Sequence, residues 1–320
     1  MTSRLEMLDE QELALDAYLQ ISHDHNIGQW VRPQLGNLYQ HNPMPFQVPE
    51  HYLRTVPLTS PPTISIVTPT LNGAAFLPYT VDSILEQEYP ALEYVVQDGG
   101  SKDETLKLLA AYGERIAHVA SEPDTGMAQA INRGFAHTTG EIMAYLNADD
   151  LLLPGTLAFV AAYFDRHPEV DVVYGHRVLI DANNAEIGRW VLPPHDDGIL
   201  SWSDYVPQET LFWRRGIWEQ AGGAMDESFR FALDWDLLLR FREAGARFVR
   251  LPRFLAAFRV HEDQKTSAQL ADVGSSEMDR IRERLTGRPV PHAEVWQYVE
   301  PYMRRHRVYH KLYRLGALRY

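Results

Sequence analysis

The feature that most constrains this chain is an alternation. From Ile64 to Tyr174, short β-branched runs follow one another with amphipathic segments between them. Ile64–Thr68, Leu92–Gln97, Ile116–Ala120, Ile142–Leu146 and Val170–Tyr174 read as strands. Short apolar runs rich in Val and Ile, bounded by Gly, Pro, Asn or Asp, suit strands buried on both faces. Leu77–Glu88, Glu104–Tyr112, Met127–His137 and Pro154–His167 carry apolar residues at helical spacing. Ser101 and Glu104 have the spacing of a capping box for the second of these helices. Such repetition predicts an α/β fold, a mostly parallel central sheet with helices on both faces. Ligands in that architecture bind where strands end and loops leave.

The flanks read differently. Leu5, Leu8, Leu13, Leu15, Tyr18 and Leu19 predict one amphipathic helix, and the Pro-rich stretch Pro33–Pro62 an ordered wrap or linker. The expected organisation is an N-terminal extension over 1–62, a central domain over 63–267 (halves 63–150 and 151–267), and a helical tail over 268–320. A chain of 320 residues, 45% hydrophobic, can bury a large core without staples. Cysteine is absent, so disulfides, thiol nucleophiles and thiolate metal sites are excluded, and a metal must sit on oxygen or histidine. The net charge of -13 argues against a nucleic-acid partner. The start MTSRLEMLDEQ has acids where a signal peptide has a basic and then apolar run. The apolar stretch near Thr156–Phe164 falls far short of the roughly 20 residues that cross a bilayer. A soluble, cytoplasmic protein is expected.

The loops after the strands carry the chemistry. Thr68-Pro69-Thr70-Leu-Asn72-Gly73 follows the first strand, and its small, hydrogen-bonding residues either admit a ligand to backbone amides or form an ordinary turn. In Gln97-Asp98-Gly99-Gly100-Ser101-Lys102-Asp103, Asp98 either accepts hydrogen bonds from a nucleobase or ribose or caps the turn. Asp124-Thr-Gly126 opens a helix bearing Asn132-Arg133-Gly134. Asn147-Ala148-Asp149-Asp150 places two adjacent carboxylates beside an apolar strand, where burial is costly unless a cation or donors compensate. Mg2+ and Mn2+ take such oxygen donors, with substrate phosphates completing the shell. Capping of the next helix is the alternative for one of the pair.

These four loops, in this order, resemble the nucleotide-sugar-binding half of glycosyltransferase family 2, of GT-A fold, over roughly residues 63–267. The resemblance implies that Thr68, Pro69, Thr70, Asn72, Asp98, Gly126, Asn132, Asn147, Ala148 and Asp149 serve the nucleotide-sugar donor. It implies that Asp149 and Asp150 supply carboxylates for a divalent metal, Mn2+ or Mg2+, and the donor diphosphate. Asn72 replaces an acidic residue of many members and Asn147 an Asp of others, which leaves Asp149 the direct ligand of choice and Asp150 its alternative.

Further on, Phe231-Ala-Leu-Asp234-Trp235-Asp236 opens a helix. Asp234 and Asp236 diverge by about 200° and cannot both face one site. The family carries an acidic pair here whose second member is the base; Leu233 stands at the first position and Asp234 at the second. Asp234 is therefore the expected general base, with Asp236 a structural partner. Phe258-Arg259-Val-His261 resembles the family's closing segment, in which a histidine reaches the metal or diphosphate; a surface or core histidine is the alternative. Gln208-Glu209-Thr210 and the loop Pro193–Tyr205 are candidates for the acceptor side.

The implied function is an inverting, non-processive, metal-dependent transferase with a UDP- or dTDP-sugar donor and a saccharide or lipid-linked acceptor. A sugar nucleotidyltransferase and an inactive saccharide-binding protein on the same fold are the alternatives, but Thr68–Phe76 lacks the basic phosphate loop of the former. Residues 301–320 hold six Lys and Arg and no acid. They either touch anionic lipid at the inner membrane face or form a solvated helix packing its tyrosines inward.

Overall fold

A computed structural model of the chain describes residues 37–54, 58–262 and 273–320. The helix expected over Leu5–Leu19 lies outside the described residues. The described residues fall into two compact units, one within Gln47–Arg177 and Val206–Arg259, the other within Met1–Phe46, Val178–Tyr205 and Val260–Tyr320.

The first unit holds the alternating elements. Strands β1 (Ile64–Thr70), β2 (Leu92–Asp98), β3 (His118–Ser121) and β4 (Ile142–Tyr145) pair in parallel in the order β3-β2-β1-β4. The sheet continues through β8 (Phe212–Arg214), β6 (Val172–Ile180), β9 (Phe248–Arg259) and β5 (Leu151–Leu152), with β8 antiparallel to β4 and β6, and β5 antiparallel to β9. β1 is buried along its whole length, as its run of Ile, Val and Thr predicts. Helices α1 (Leu77–Leu85), α2 (Thr105–Ala110), α3 (Met127–Phe135), α4 (Thr156–Arg166), α6 (Arg215–Gln220) and α7 (Leu233–Glu243) complete it. Ile66, Val81, Val96, Leu157, Val173 and Leu255 belong to one continuous core.

α3 packs on β1 and β2. Gly134 makes that approach feasible, since a Cβ there would lie 2.4 Å from Val67 Cγ1. The expected capping box does not form. Glu104 stands at the N-cap of α2 without a side-chain cap, and Asp103 Oδ1 instead accepts from Thr105 N–H at 3.0 Å. Ser101 is drawn away by Asp98, to which its hydroxyl donates.

β1 outruns its neighbour. The β1–β4 register ends at Val67↔Tyr145, while β1 stays paired with β2 to Thr70↔Asp98. Pro69, which cannot donate to a ladder, thus sits in the stretch past the end of the β4 pairing. Strand order reverses between β1 and β4, and such a switch point opens a crevice at the strands' C-terminal ends.

Part of the Pro-rich stretch is tied to the first unit. In the first unit, Tyr52 is buried, its carbonyl accepts from Arg253 NH2 at 3.0 Å and its hydroxyl from Phe254 N–H at 3.0 Å. The Arg253 guanidinium lies 3.8 Å from the Tyr52 ring centroid.

In the second unit, β7 (Glu186–Trp190) pairs with β6, and Met44 bridges antiparallel to Glu186. Helices α5 (Asp197–Leu200), α8 (Ser275–Thr286) and α9 (His292–Arg314) complete it. Val299, Tyr302, His306 and His310 form the buried face of α9. No helix among the described residues is long and apolar enough to cross a membrane.

Candidate active site

The switch point gathers loops 70–73, 97–103 and 147–150 of the first unit. Gly99 N–H donates to Thr70 C=O at 2.8 Å, and Leu146 N–H to Val67 C=O at 3.0 Å. Asn72 adopts a left-handed conformation, φ 53, that short polar side chains tolerate. Its Oδ1 accepts from Lys102 N–H at 2.8 Å while its own N–H donates to Ser101 Oγ at 2.6 Å. Asn72 therefore clips two loops together, although the residue itself is exposed.

Asp98 is fully buried. Its Oδ2 accepts from Gly100 N–H (3.0 Å), Ser101 N–H (2.9 Å) and Ser121 Oγ (2.6 Å), and its Oδ1 from Ser101 Oγ. Of the two roles read from the sequence, capping the turn is the one this hydrogen bonding performs. Thr68 is equally buried and accepts from Tyr94 Oη at 3.1 Å.

Asn132 uses both ends of its amide. Its Nδ2 donates to Met225 C=O and to Glu227 Oε1, each at 3.0 Å, and its Oδ1 accepts from Met225 N–H at 2.7 Å. It joins α3 to loop 225–227. Gly126, at the N-cap of α3, has φ +152, a conformation that side chains disfavour.

Three buried polar atoms near the strand ends have no hydrogen-bond partner among the described residues: Thr70 Oγ1, Gln97 Nε2 and Asn147 Oδ1. Leaving such groups dry costs about 1–3 kcal/mol each. Asn147 Nδ2 donates to Gln208 Oε1 at 3.1 Å, and Gln208 Nε2 donates to Tyr145 C=O at 2.8 Å. Gln208, Glu209 and Thr210 are buried in a 3-10 turn, which brings structural duties to the triplet read as an acceptor wall.

The paired carboxylates separate in role. Asp150 is buried, its Oδ1 accepts from Arg259 N–H at 3.0 Å and its carbonyl from Thr80 Oγ1 at 2.8 Å. Burial, then the charges of Asp149 and Glu209, push the Asp150 carboxyl well above its ordinary range. Asp149 is half-buried, Ala148 likewise, and the Asp149 carbonyl accepts from Arg259 Nε at 2.7 Å. Among the described residues no three His, Asp or Glu side chains gather in a way that would hold a metal ion. A hard divalent ion at a diphosphate needs fewer, binding through one or two carboxylates with phosphates and water. Asp149, partly open at the end of β4, fits that donor set; Asp150, committed to Arg259, fits it less well.

Asp234 lies in the first turn of α7 and is partly exposed. Its Oδ1 accepts from Trp235 N–H at 3.0 Å. Burial pushes its carboxyl up to about 6, with that hydrogen bond and Arg177 opposing and Glu209 assisting. Asp236 points into the core and accepts from Arg240 Nε at 2.8 Å, the structural partnership expected of it. His261 belongs to the second unit and is half-buried. The rest of the closing segment, from Asp263 to Thr266, lies outside the described residues.

The residue that sequence reasoning passed over is Arg177. Its Nε and NH2 donate to the two oxygens of Glu209 at 2.7 and 2.5 Å, and its guanidinium lies 4.6 Å from the Phe258 ring centroid. The charges of this buried pair act on both Asp150 and Asp234. An arginine inside the apolar run Val172–Ile180 was the available signal.

Solved structures share this architecture. Staphylococcus aureus TarS 1-349 in complex with UDP-GlcNAc superposes with a TM-score of 0.58 at 19% identity, covering 76% of this chain and 72% of that one. The mannosyltransferase PcManGT from Pyrobaculum calidifontis, in complex with GDP-Man and Mn2+, gives 0.57 at 21% identity over 87% and 76%. Only 43% of a longer TarS chain is covered. The fold is that of the GT-A glycosyltransferases. Residues 65–225 match the sequence family Glycosyl transferase family 2. A PGL/p-HBAD biosynthesis glycosyltransferase of Mycobacterium bovis is 36% identical over 184 residues, 56% of this chain and 69% of that protein. The chain belongs to glycosyl transferase family 2 and is a glycosyltransferase.

Proposed function

We propose that the chain is an inverting, non-processive, metal-dependent enzyme of cell-surface glycan biosynthesis. It transfers a sugar from a UDP- or dTDP-sugar to a hydroxyl of a saccharide or lipid-linked acceptor, in the cytoplasm and peripherally at the inner membrane face. The observation that carries the donor site is the set of buried, unpartnered atoms Thr70 Oγ1, Gln97 Nε2 and Asn147 Oδ1 near the ends of β1, β2 and β4. A ligand with hydroxyl, carbonyl and phosphate groups relieves that cost. The nucleotide-sugar complexes of TarS and PcManGT support the reading.

In this mechanism Asp234 accepts the proton of the acceptor hydroxyl while that oxygen attacks the anomeric carbon. The bond from that carbon to the diphosphate oxygen breaks on the opposite face, so a single displacement inverts the centre. Asp149 would hold a divalent ion, which supplies neutralisation of the leaving diphosphate. Arg259 holds Asp149 and Asp150 in place through the carbonyl of the first and the carboxyl of the second. Asp98 shapes the donor loop through Gly100 and Ser101.

The test is a thermal-shift panel of UDP, dTDP, GDP and their sugar nucleotides, each with and without Mn2+. Stabilisation that needs both a nucleotide and the metal supports the donor site. No response to any combination overturns it.

A further inference from the structure

The outward face of α9 is the feature that the transfer reaction does not use. At 100° per residue, Val299, Tyr302, His306 and His310 fall within an arc of about 80°, and all four are buried. The opposite side carries Val308, Leu312 and the C-cap Leu315, which are 55%, 37% and 71% exposed. Lys311 and Arg304 run along one edge of this aliphatic stripe and Arg305 along the other, all three exposed. Arg314 and Arg319 extend the positive charge at the C-terminal end, and residues 301–320 contain no acid in a chain of net charge -13. Arg304 and Arg305 have partners in Glu300 and Asp196, ion pairs whose arginines remain 72% and 50% exposed.

Aliphatic side chains exposed on one helix face and bordered by cations match the boundary between lipid headgroups and acyl chains. Each Lys or Arg near an anionic surface adds about 1 kcal/mol. Three aliphatic side chains are few for a folded partner, since a stable protein interface covers about 800 Å² per side. A bilayer has no such minimum. The buried face of α9 is anchored by Tyr302, His306 and His310, and Arg189 NH1 donates to Tyr313 Oη at 2.8 Å. The stripe is thus presented by a helix already held in place.

We infer that the outward face of α9, through Val308, Leu312, Leu315 and Lys311, together with Arg314 and Arg319 at its C-terminal end, docks this chain on an anionic lipid bilayer. The inference deepens the peripheral placement proposed above and rests on that reading. It names the surface that makes the contact.

The test is flotation of the full chain with vesicles of phosphatidylcholine, with or without phosphatidylglycerol, at low and high salt and without nucleotide. Flotation only with the anionic vesicles, lost at high salt, is expected. The triple variant Lys311→Gln, Arg314→Gln, Arg319→Gln weakens binding by about a hundredfold, at about 1 kcal/mol per cation. The pair Val308→Ser, Leu315→Ser weakens it by about tenfold. All five positions are exposed, so melting temperatures stay at the unmodified value. Equal binding to neutral vesicles, absence of flotation, or a dimer in light scattering that Leu315→Ser dissolves would each overturn the inference. The nucleotide thermal shift is measured without vesicles, so failure of the donor reading and failure of membrane docking are separately visible.

Discussion

Arg259 grips two consecutive residues at once. Its backbone N–H meets Asp150 Oδ1 at 3.0 Å and its side-chain Nε meets the Asp149 carbonyl at 2.7 Å. The guanidinium also lies 4.8 Å from the Phe76 ring centroid, so one fully buried cation joins β9, the carboxylate loop and the approach to α1. Replacing it by Ala removes a charge-assisted bond to the Asp149 carbonyl and the packing of a fully buried side chain, at a cost of about 2–4 kcal/mol. Urea denaturation of Arg259→Ala measures this, and an unchanged midpoint would contradict the role.

The two adjacent aspartates separate under the same substitution. On the proposed function, Asp149→Asn is expected to leave the fold intact and to abolish any metal-dependent part of the nucleotide thermal shift. Asp150→Asn keeps the acceptor for Arg259 N–H and removes a carboxyl whose folded pKa is raised. A raised carboxyl binds its proton more tightly in the folded than in the unfolded state. Its ionisation therefore removes stability as pH rises above about 4 towards the folded value. Asp150→Asn in the absence of metal should melt higher than the unmodified chain at neutral pH and no differently at pH 3. A lower melting point at neutral pH would refute this.

Asp234→Asn tests the base. Loss of general-base catalysis lowers kcat by about 10²–10⁴ with the donor thermal shift unchanged. Because burial raises Asp234 to about 6, kcat/KM of the unmodified enzyme should rise with pH and level off above that value. An acidic limb near pH 4, or full transfer by the variant, would assign the proton to another group.

Asp98→Asn removes the charge that four donors address and turns one acceptor oxygen into a donor facing donors. A loss of about 2–3 kcal/mol and of donor affinity is expected, read by calorimetry and by nucleotide titration. Retained stability would show that the turn forms without its charge.

Gly134→Ala places a methyl 2.4 Å from Val67 Cγ1. Overpacking of this kind costs about 1–3 kcal/mol and pushes α3 away from β1. A melting temperature equal to that of the unmodified chain would show that Val67 repacks freely.

Much of this was legible in the chain. The runs at Ile64, Leu92 and Ile142 announce parallel strands because a strand buried on both faces has to be apolar throughout, and β1 is. The loops after them stood out as the place to look for a site, since strand ends are where such a sheet binds ligands. Asp236 was separable from Asp234 by helical geometry alone. Asn72, Asn132 and Ser101 were not so legible. Each chooses its partner from residues far along the chain: Lys102, Met225 with Glu227, and Asn72 itself. The expected capping box yielded to a local competitor instead, because the Ser101 hydroxyl donates to Asp98, three residues before it.

By itself, then, the sequence determined the alternation of strands and helices from Ile64 onward, the loops that stand at the strand ends and the absence of thiol ligands, all set by local pattern and composition. Tertiary structure decided the division of labour among the carboxylates. A carboxylate's role follows from its burial and from the donors that reach it, and Arg259, Arg177 and Glu209 come to Asp150 and Asp234 only when β6, β9 and the turn at Gln208 have packed.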